Sequence, residues 1–281
     1  MNNLTNYHSH TSFCDGKAPM EAFIAEAVRQ GFTSYGVSSH APLPFRTRWT
    51  IDDREQTGLY LQEFARLKRL YGDRIELYVG LEIDYMDEDQ QPANDYFQSL
   101  PLDYRIGSVH LLHSTQGEIV DIDTKPEVFR EHVRLHLGGD LKRVVLAYFD
   151  KLMRMIGRGG FDFIGHADKI SYNVSCCEPN ILGQQWYKDK ISEYFTFIAE
   201  KGAMIEVNTK TLHRNGFLYP NKEHFGLIRT LGIPVVVNSD AHLPELINSG
   251  RPEALRLLKA SGIGAVWQLE RGVWTEVPIG E

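Results

Sequence analysis

Cysteine is scarce in this chain: 281 residues contain three, Cys14, Cys176 and Cys177. An odd number without a spaced framework excludes a disulfide scaffold and points to reduced thiols, as in a cytoplasmic protein. Adjacent cysteines seldom bridge, so Cys176-Cys177 reads as loop. No run approaches the roughly 18 apolar residues of a membrane-crossing helix. The polar N-terminus lacks the apolar stretch of a secretory signal. Basic charge is short as well: 30 Lys and Arg stand against 37 Asp and Glu, a net charge of −7, with no basic stripe. Nucleic acid is therefore not an expected partner. A small anionic substrate is compatible, because bound cations can reverse the local field. There is no low-complexity segment, fixed-period repeat or Ser/Pro/Gly-rich linker, so residues 1–281 read as one domain. The sequence carries no signal for an oligomeric state.

What the chain does have is apolar segments of alternating period. Strand-like runs cover Leu4–His8, Phe32–Val37, Ile75–Ile83, Tyr104–Val109, Phe161–Ile164, Ala203–Val207 and Pro234–Val237. Between them, apolar residues recur at helical spacing, as in Met20, Phe23, Ile24, Ala27 and Val28 before Gly31. Leu111 to Lys125 reads as a long loop, and Val266 to Val277 as a further strand or two. About seven β-then-α units predict a parallel sheet covered by helices, and more units than a small open sheet needs, hence a TIM-like barrel.

Histidine is the abundant functional residue, with 11 copies. The strand-like runs end at His8 and His10, His40, Glu82, His110, His166, Asn208, and Asp240 with His242. In a parallel barrel these ends meet at one mouth, where catalytic groups sit. His8 and His10 are two apart in extended chain and face the same way, so both can reach one ion. Nitrogen and oxygen ligands of this kind admit Zn, Fe or Mn. The bland alternatives are buried structural histidines, an Asp15 that only caps its Asp15-Gly16 turn, and a Glu82 paired to an arginine. His132 and His136 read as a solvated i, i+4 pair.

These residues resemble the polymerase and histidinol phosphatase (PHP) family of metal-dependent phosphoesterases. The matching stretches are His8-Ser9-His10-Thr11 with Asp15-Gly16, Ser38-Ser39-His40, Gly80-Leu81-Glu82, Gly107-Ser108-Val109-His110, Ile164-Gly165-His166, Glu206-Val207-Asn208 and Asn238-Ser239-Asp240-Ala241-His242. His40-Ala41-Pro42 and the stretch from Asn208-Thr209 to Tyr219-Pro220 look like the stand-alone histidinol-phosphatase type. The resemblance implies a distorted (β/α)7 barrel with three divalent ions at its mouth. The first would take His8, His10, Glu82 and Asp240, and the second Glu82, His110 and His166, with Glu82 bridging. The third would take Asp15, His40 and His242; other members carry His where this chain has Asp15.

The expected substrate is L-histidinol phosphate, hydrolysed to L-histidinol and phosphate in histidine biosynthesis. Two cations bridged by a carboxylate can activate a shared water for in-line attack on phosphorus. Catalysis is thus expected to turn on Glu82, Asp240 and His242. Arg214 is the candidate phosphate clamp, with Arg46, Arg158 and Lys169 as competitors, and Asn208 borders the substrate. Asp84, Asp121 and Asp123, or Glu206, could receive the substrate's ammonium. Competing readings are a PHP phosphoesterase acting on another small ester or a nucleotide, an amidohydrolase-type barrel, and a non-catalytic metal-binding module. No lysine ends a strand as an amidohydrolase would require, and a complete ligand set disfavours the inert module.

Overall fold

The structure, a computed structural model, describes residues 3–280. In chain order it begins β1 (Thr5–Asn6), α1 (Met20–Gln30), β2 (Ser34–Val37), α2 (Arg54–Tyr71), β3 (Glu76–Asp84), α3 (Asp95–Ser99) and β4 (Tyr104–Ser108). The hairpin β5 (Leu111–His113) and β6 (Ile119–Asp121) follows, then α4 (Pro126–Leu135), α5 (Leu141–Arg158), β7 (Phe163–Ile164), α6 (Ile170–Cys177) and α7 (Gln185–Glu200). The chain continues through β8 (Met204–Asn208), α8 (Leu212–Asn215), α9 (Phe225–Leu231), β9 (Val235–Asn238) and α10 (Arg251–Ala260), and ends in the antiparallel pair β10 (Ala265–Glu270) and β11 (Val273–Pro278).

Seven parallel strands, ordered β1-β2-β3-β4-β7-β8-β9, form a nearly closed barrel with helices between them. The seam between first and last strands is held by Tyr7 N–H to Asn238 Oδ1 at 2.8 Å and His10 N–H to the Ala241 carbonyl at 2.8 Å. This seam draws both ends of the sequence motif set together. The helices start and stop where local chemistry dictates. Asp53 and Asp140 cap α2 and α5 by accepting from Gln56 N–H and Arg143 N–H. Gly31 ends α1 in the left-handed region at φ 78°, where a side chain would be strained.

One end of the barrel is plugged by aromatic rings. Tyr7, Tyr78, Tyr104 and Phe163 pack together against Trp274 of β11. A Cβ at Gly36 or Gly80 would collide with the Tyr104 ring, so two neighbouring strands need glycine there. That plug leaves the opposite, C-terminal mouth as the open end.

Two expectations change. The Leu111–Lys125 loop contains the β5–β6 hairpin, paired Leu111 to Asp121 through His113 to Ile119. Each strand has only three residues, too few for period 2 to show. Cys176 and Cys177 end helix α6 rather than lying in a loop; both are free thiols. The helix is short, and its weak apolar stripe gave no signal. Among the described residues, no helix is long and apolar enough to cross a membrane.

Behind the barrel mouth, packing traps the Asp168 carboxylate, which accepts from Asn221 N–H at 2.9 Å and lies 3.8 Å from His224 Nε2. Burial raises its pKa from 3.8 to about 7. The folded state therefore binds this proton more tightly than the unfolded chain, and stability falls as pH rises from 3.8 toward 7. Asp168→Asn removes that cost and is expected to stabilise the fold by about 2–4 kcal/mol at pH 8 and by less at pH 5. Thermal melts at the two pH values check this; an equal shift at both contradicts it.

Candidate metal centre

The residues of the mouth are set by the ends of the strands. His8 and His10 follow β1, His40 follows β2 and bridges to Glu82 of β3, and His110 lies between β4 and β5. His166 follows β7, and Asp240 and His242 follow β9. His166 and Asp240 have positive φ, 28° and 48°, unusual for residues other than glycine. Strained backbone at these two positions turns each side chain into the mouth.

The arrangement is centred on Glu82. Its Oε2 lies 3.1 Å from His8 Nε2, 3.4 Å from His10 Nε2 and 3.1 Å from His40 Nδ1. Its Oε1 lies 2.8 Å from His166 Nε2 and 3.5 Å from His110 Nε2, and accepts from Ser108 Oγ at 2.7 Å. The two oxygens thus address two halves of the cluster. Gly165 keeps this possible: a Cβ there would lie 2.6 Å from Ser108 Oγ. Asp240 Oδ1 is 3.2 Å from His10 Nε2 and 3.5 Å from His242 Nδ1, while Asp15 Oδ2 is 3.1 Å from His242 Nε2.

A ring of outer groups fixes the imidazoles. His8 Nδ1 pairs with Glu206 Oε1 at 2.7 Å, and His110 Nδ1 with Asp84 Oδ1 at 3.0 Å. Each contact turns the other nitrogen, Nε2, toward Glu82, the pattern by which carboxylates orient metal-binding histidines. Glu206 also accepts from His166 N–H and from the amides of Asn208 and Asn238.

Electrostatics show what the cluster needs. Burial, reinforced by His40 and His242, holds His10 well below its ordinary pKa, and burial brings His40 down to about 4. Both rings are neutral near pH 7 and carry open lone pairs. Burial opposes charge on His110, but Asp84 and Glu82 raise it to about 10. The buried carboxylates demand positive charge, which protonated imidazoles supply in the absence of anything else.

The residues therefore fit divalent metal. His10 Nε2, Asp15 Oδ1, His40 Nδ1 and His166 Nδ1 are buried without a hydrogen-bond partner. Such atoms are costly unless something satisfies them. Four groupings bring ligand atoms within 4.8 Å of one another: His10, Asp15, His40 and His242; His8, His10 and Glu82; His8, His166 and Asp240; and His40, Glu82 and His110. All nine expected metal-type side chains come together. The groupings differ from the expected partition: His10 joins the Asp15 group as well as the Glu82 group, His40 also joins Glu82 and His110, and His166 and Asp240 group with His8.

The cluster opens into a cavity of about 160 Å³ lined by Asp15, His40, Trp49, His110, Asp121, Asp123, Lys210 and His242. The expected arginines are not on that wall. Arg214 is exposed on α8, and exposed Arg158 is ion-paired with Glu88 at the end of α5. The cation on the wall is Lys210, with Nζ 3.1 Å from Asp240 Oδ1. Asn208 is buried behind Asp240, donating to it and to Glu206, instead of bordering the cavity. Asp84 and Glu206 are likewise occupied by imidazoles and cannot serve as cavity carboxylates. Strand period gave no signal for Lys210, which lies beyond the end of β8 in a turn where its N–H donates to Asn208 Oδ1 at 3.0 Å. Trp49 gave no signal, since its Pro-broken loop has no period.

Residues 6–210 match the model of the PHP domain. The chain is 26% identical over 279 residues to the "probable histidinol-phosphatase" of Schizosaccharomyces pombe, covering 94% of this chain and 89% of that one. It is 25% identical over 251 residues to the histidinol-phosphatase of Bacillus subtilis, covering 84% and 92%. Its fold superposes, with a TM-score of 0.72 and 16% identity, on the histidinol phosphate phosphatase of Lactococcus lactis complexed with Zn, L-histidinol and phosphate; that match covers 97% of this chain and 99% of the other.

Proposed function

Because this chain belongs to the PHP domain family, we propose that it is a metal-dependent phosphomonoesterase that hydrolyses L-histidinol phosphate to L-histidinol and phosphate. The observation that carries this reading is the convergence of five imidazoles on the two oxygens of Glu82, beside a cavity whose wall bears one lysine and three aspartates. His8, His10, Glu82 and Asp240 would hold one divalent ion, Glu82, His110 and His166 a second, and Asp15, His40 and His242 a third. Zn, Fe and Mn all suit these ligands. When bound, such ions supply a water nucleophile at neutral pH and neutralise charge on the phosphoryl oxygens.

The remaining work belongs to side chains on the cavity wall. Lys210 would clamp a phosphate oxygen as a point charge. Asp121 would take the substrate's ammonium. It is half-buried, and burial and the neighbouring Asp123 raise its pKa, a strain that a nearby cation relieves. Asp123 already has a partner, Lys169 Nζ at 3.1 Å. Trp49 stands edge-on to His40 and His110, with centroids 4.8 and 5.8 Å away, and would shield the cluster from bulk water while offering an apolar wall to an imidazole. The structural match with the Lactococcus lactis enzyme, complexed with Zn, L-histidinol and phosphate, supports the fold on which this reading stands.

The test is a comparison of kcat/KM for histidinol phosphate with p-nitrophenyl phosphate, simple alkyl phosphates and mononucleotides. Histidinol phosphate is expected to be preferred by at least about tenfold, or roughly 1.4 kcal/mol of differential transition-state binding. Preference for another ester would leave a phosphoesterase but remove the biosynthetic assignment.

A further inference from the structure

A groove of about 940 Å³ runs along the outer face of α5, between residues 85–88 and strand β5. It shares no lining residue with the catalytic cavity. Its charge is opposite to that of the chain, which is −7 overall: Arg143, Lys151, Arg154 and Arg158 line it, against Asp87 and Glu88. The four cations fall on one side of α5 because positions separated by 8, 11 and 15 residues return to nearly the same face of a helix. Ala147 lies among them and leaves the face open.

These charges are poorly compensated from within. Arg158 is paired with Glu88, but among the described residues the guanidinium groups of Arg143 and Arg154 meet no carboxylate and no other acceptor. Lys151 is 7% exposed and donates to the Leu111 carbonyl at 2.8 Å. Burial lowers its pKa to about 8; Asp84 and Asp87 oppose the shift and Arg154 adds to it. Burial and the charge of Lys151 together lower His113, on the facing wall. A wall whose cations depress one another is one that an anion stabilises.

We propose that this groove binds a small polyanion of the di- or triphosphate class, with its charged groups on Arg143, Lys151 and Arg154. A row of cations extending about 16 Å from Arg143 to Arg154, at 1.5 Å per residue, suits several linked anionic groups better than one. The volume lies in the range of small-molecule sites, about 300–1,000 Å³.

The experiment is calorimetric titration of the full-length, metal-loaded protein with inorganic tripolyphosphate at about 150 mM salt, where weak surface attraction is screened. Three proteins are compared: wild type, Arg143→Gln/Arg154→Gln, and Lys210→Met. Both arginines are exposed, so the double variant should keep the wild-type melting temperature and phosphatase rate. Binding to wild type is expected to weaken at least about tenfold in the double variant and to persist in Lys210→Met. Equal affinity in wild type and the double variant overturns the proposal, as does loss of binding in Lys210→Met alone, which would place the polyanion in the catalytic cavity. Orthophosphate binding as tightly as tripolyphosphate also overturns it. The readout is binding, so it stands or falls independently of the substrate assignment.

Discussion

Glu82→Gln is expected to lower kcat by on the order of a hundredfold or more, with a parallel fall in metal content. The reasoning starts from the two oxygens. Oε2 faces His8, His10 and His40, while Oε1 faces His166 and His110, so one carboxylate joins both halves of the cluster. Glutamine keeps the shape but replaces one acceptor by an NH2 group, whose protons would point at imidazole lone pairs. It also removes the negative charge that cations on either side would share. Glu82 is 1% exposed, so water cannot substitute for the lost oxygen. The comparison is with His136→Asn, an exposed change near Glu118 and away from the mouth, which should leave kcat unchanged. Steady-state rates and metal analysis of both variants check the prediction. Equal rates would mean that Glu82 is not the bridge.

Lys210→Met should lower kcat/KM for phosphomonoesters by roughly ten- to a hundredfold, chiefly through KM, with metal content retained. Methionine keeps the length and apolar stem of the side chain and removes the charge. Lys210 is the cavity-wall cation nearest the cluster, 3.1 Å from Asp240 Oδ1 and 3.5 Å from His242 Nε2. A purely structural role, neutralising Asp240, would give a different pattern: weaker metal retention and an unchanged KM once metal is saturating. Rates measured across metal and substrate concentrations separate the two.

The parts of the site legible in the sequence are those fixed by topology. Alternating strands and helices imply a barrel, and a barrel brings the strand ends together, so His8, Glu82, His110, His166 and Asp240 meet although they span 233 positions of chain. His242 was legible from the strand end it shares with Asp240, whereas Asp15 was legible only through its resemblance to the family motif. The parts that were not legible depend on side-chain direction within loops and on partners. Arg214 follows a strand end and carries the right charge, but the short α8 leaves it exposed. Arg158 is taken up by Glu88. Asn208, Glu206 and Asp84 point inward from strands but meet imidazoles and carboxylates rather than the cavity. Charge and position in sequence cannot separate a group that touches substrate from one that holds a ligand in place. Hydrogen-bond geometry can.

The most direct measurement is release of phosphate from L-histidinol phosphate by protein first stripped with a chelator and then titrated with Mn or Zn. The account predicts negligible turnover in the stripped protein and recovery as more than one equivalent of metal is restored. Full turnover by the stripped protein, or none at any metal loading, would contradict it.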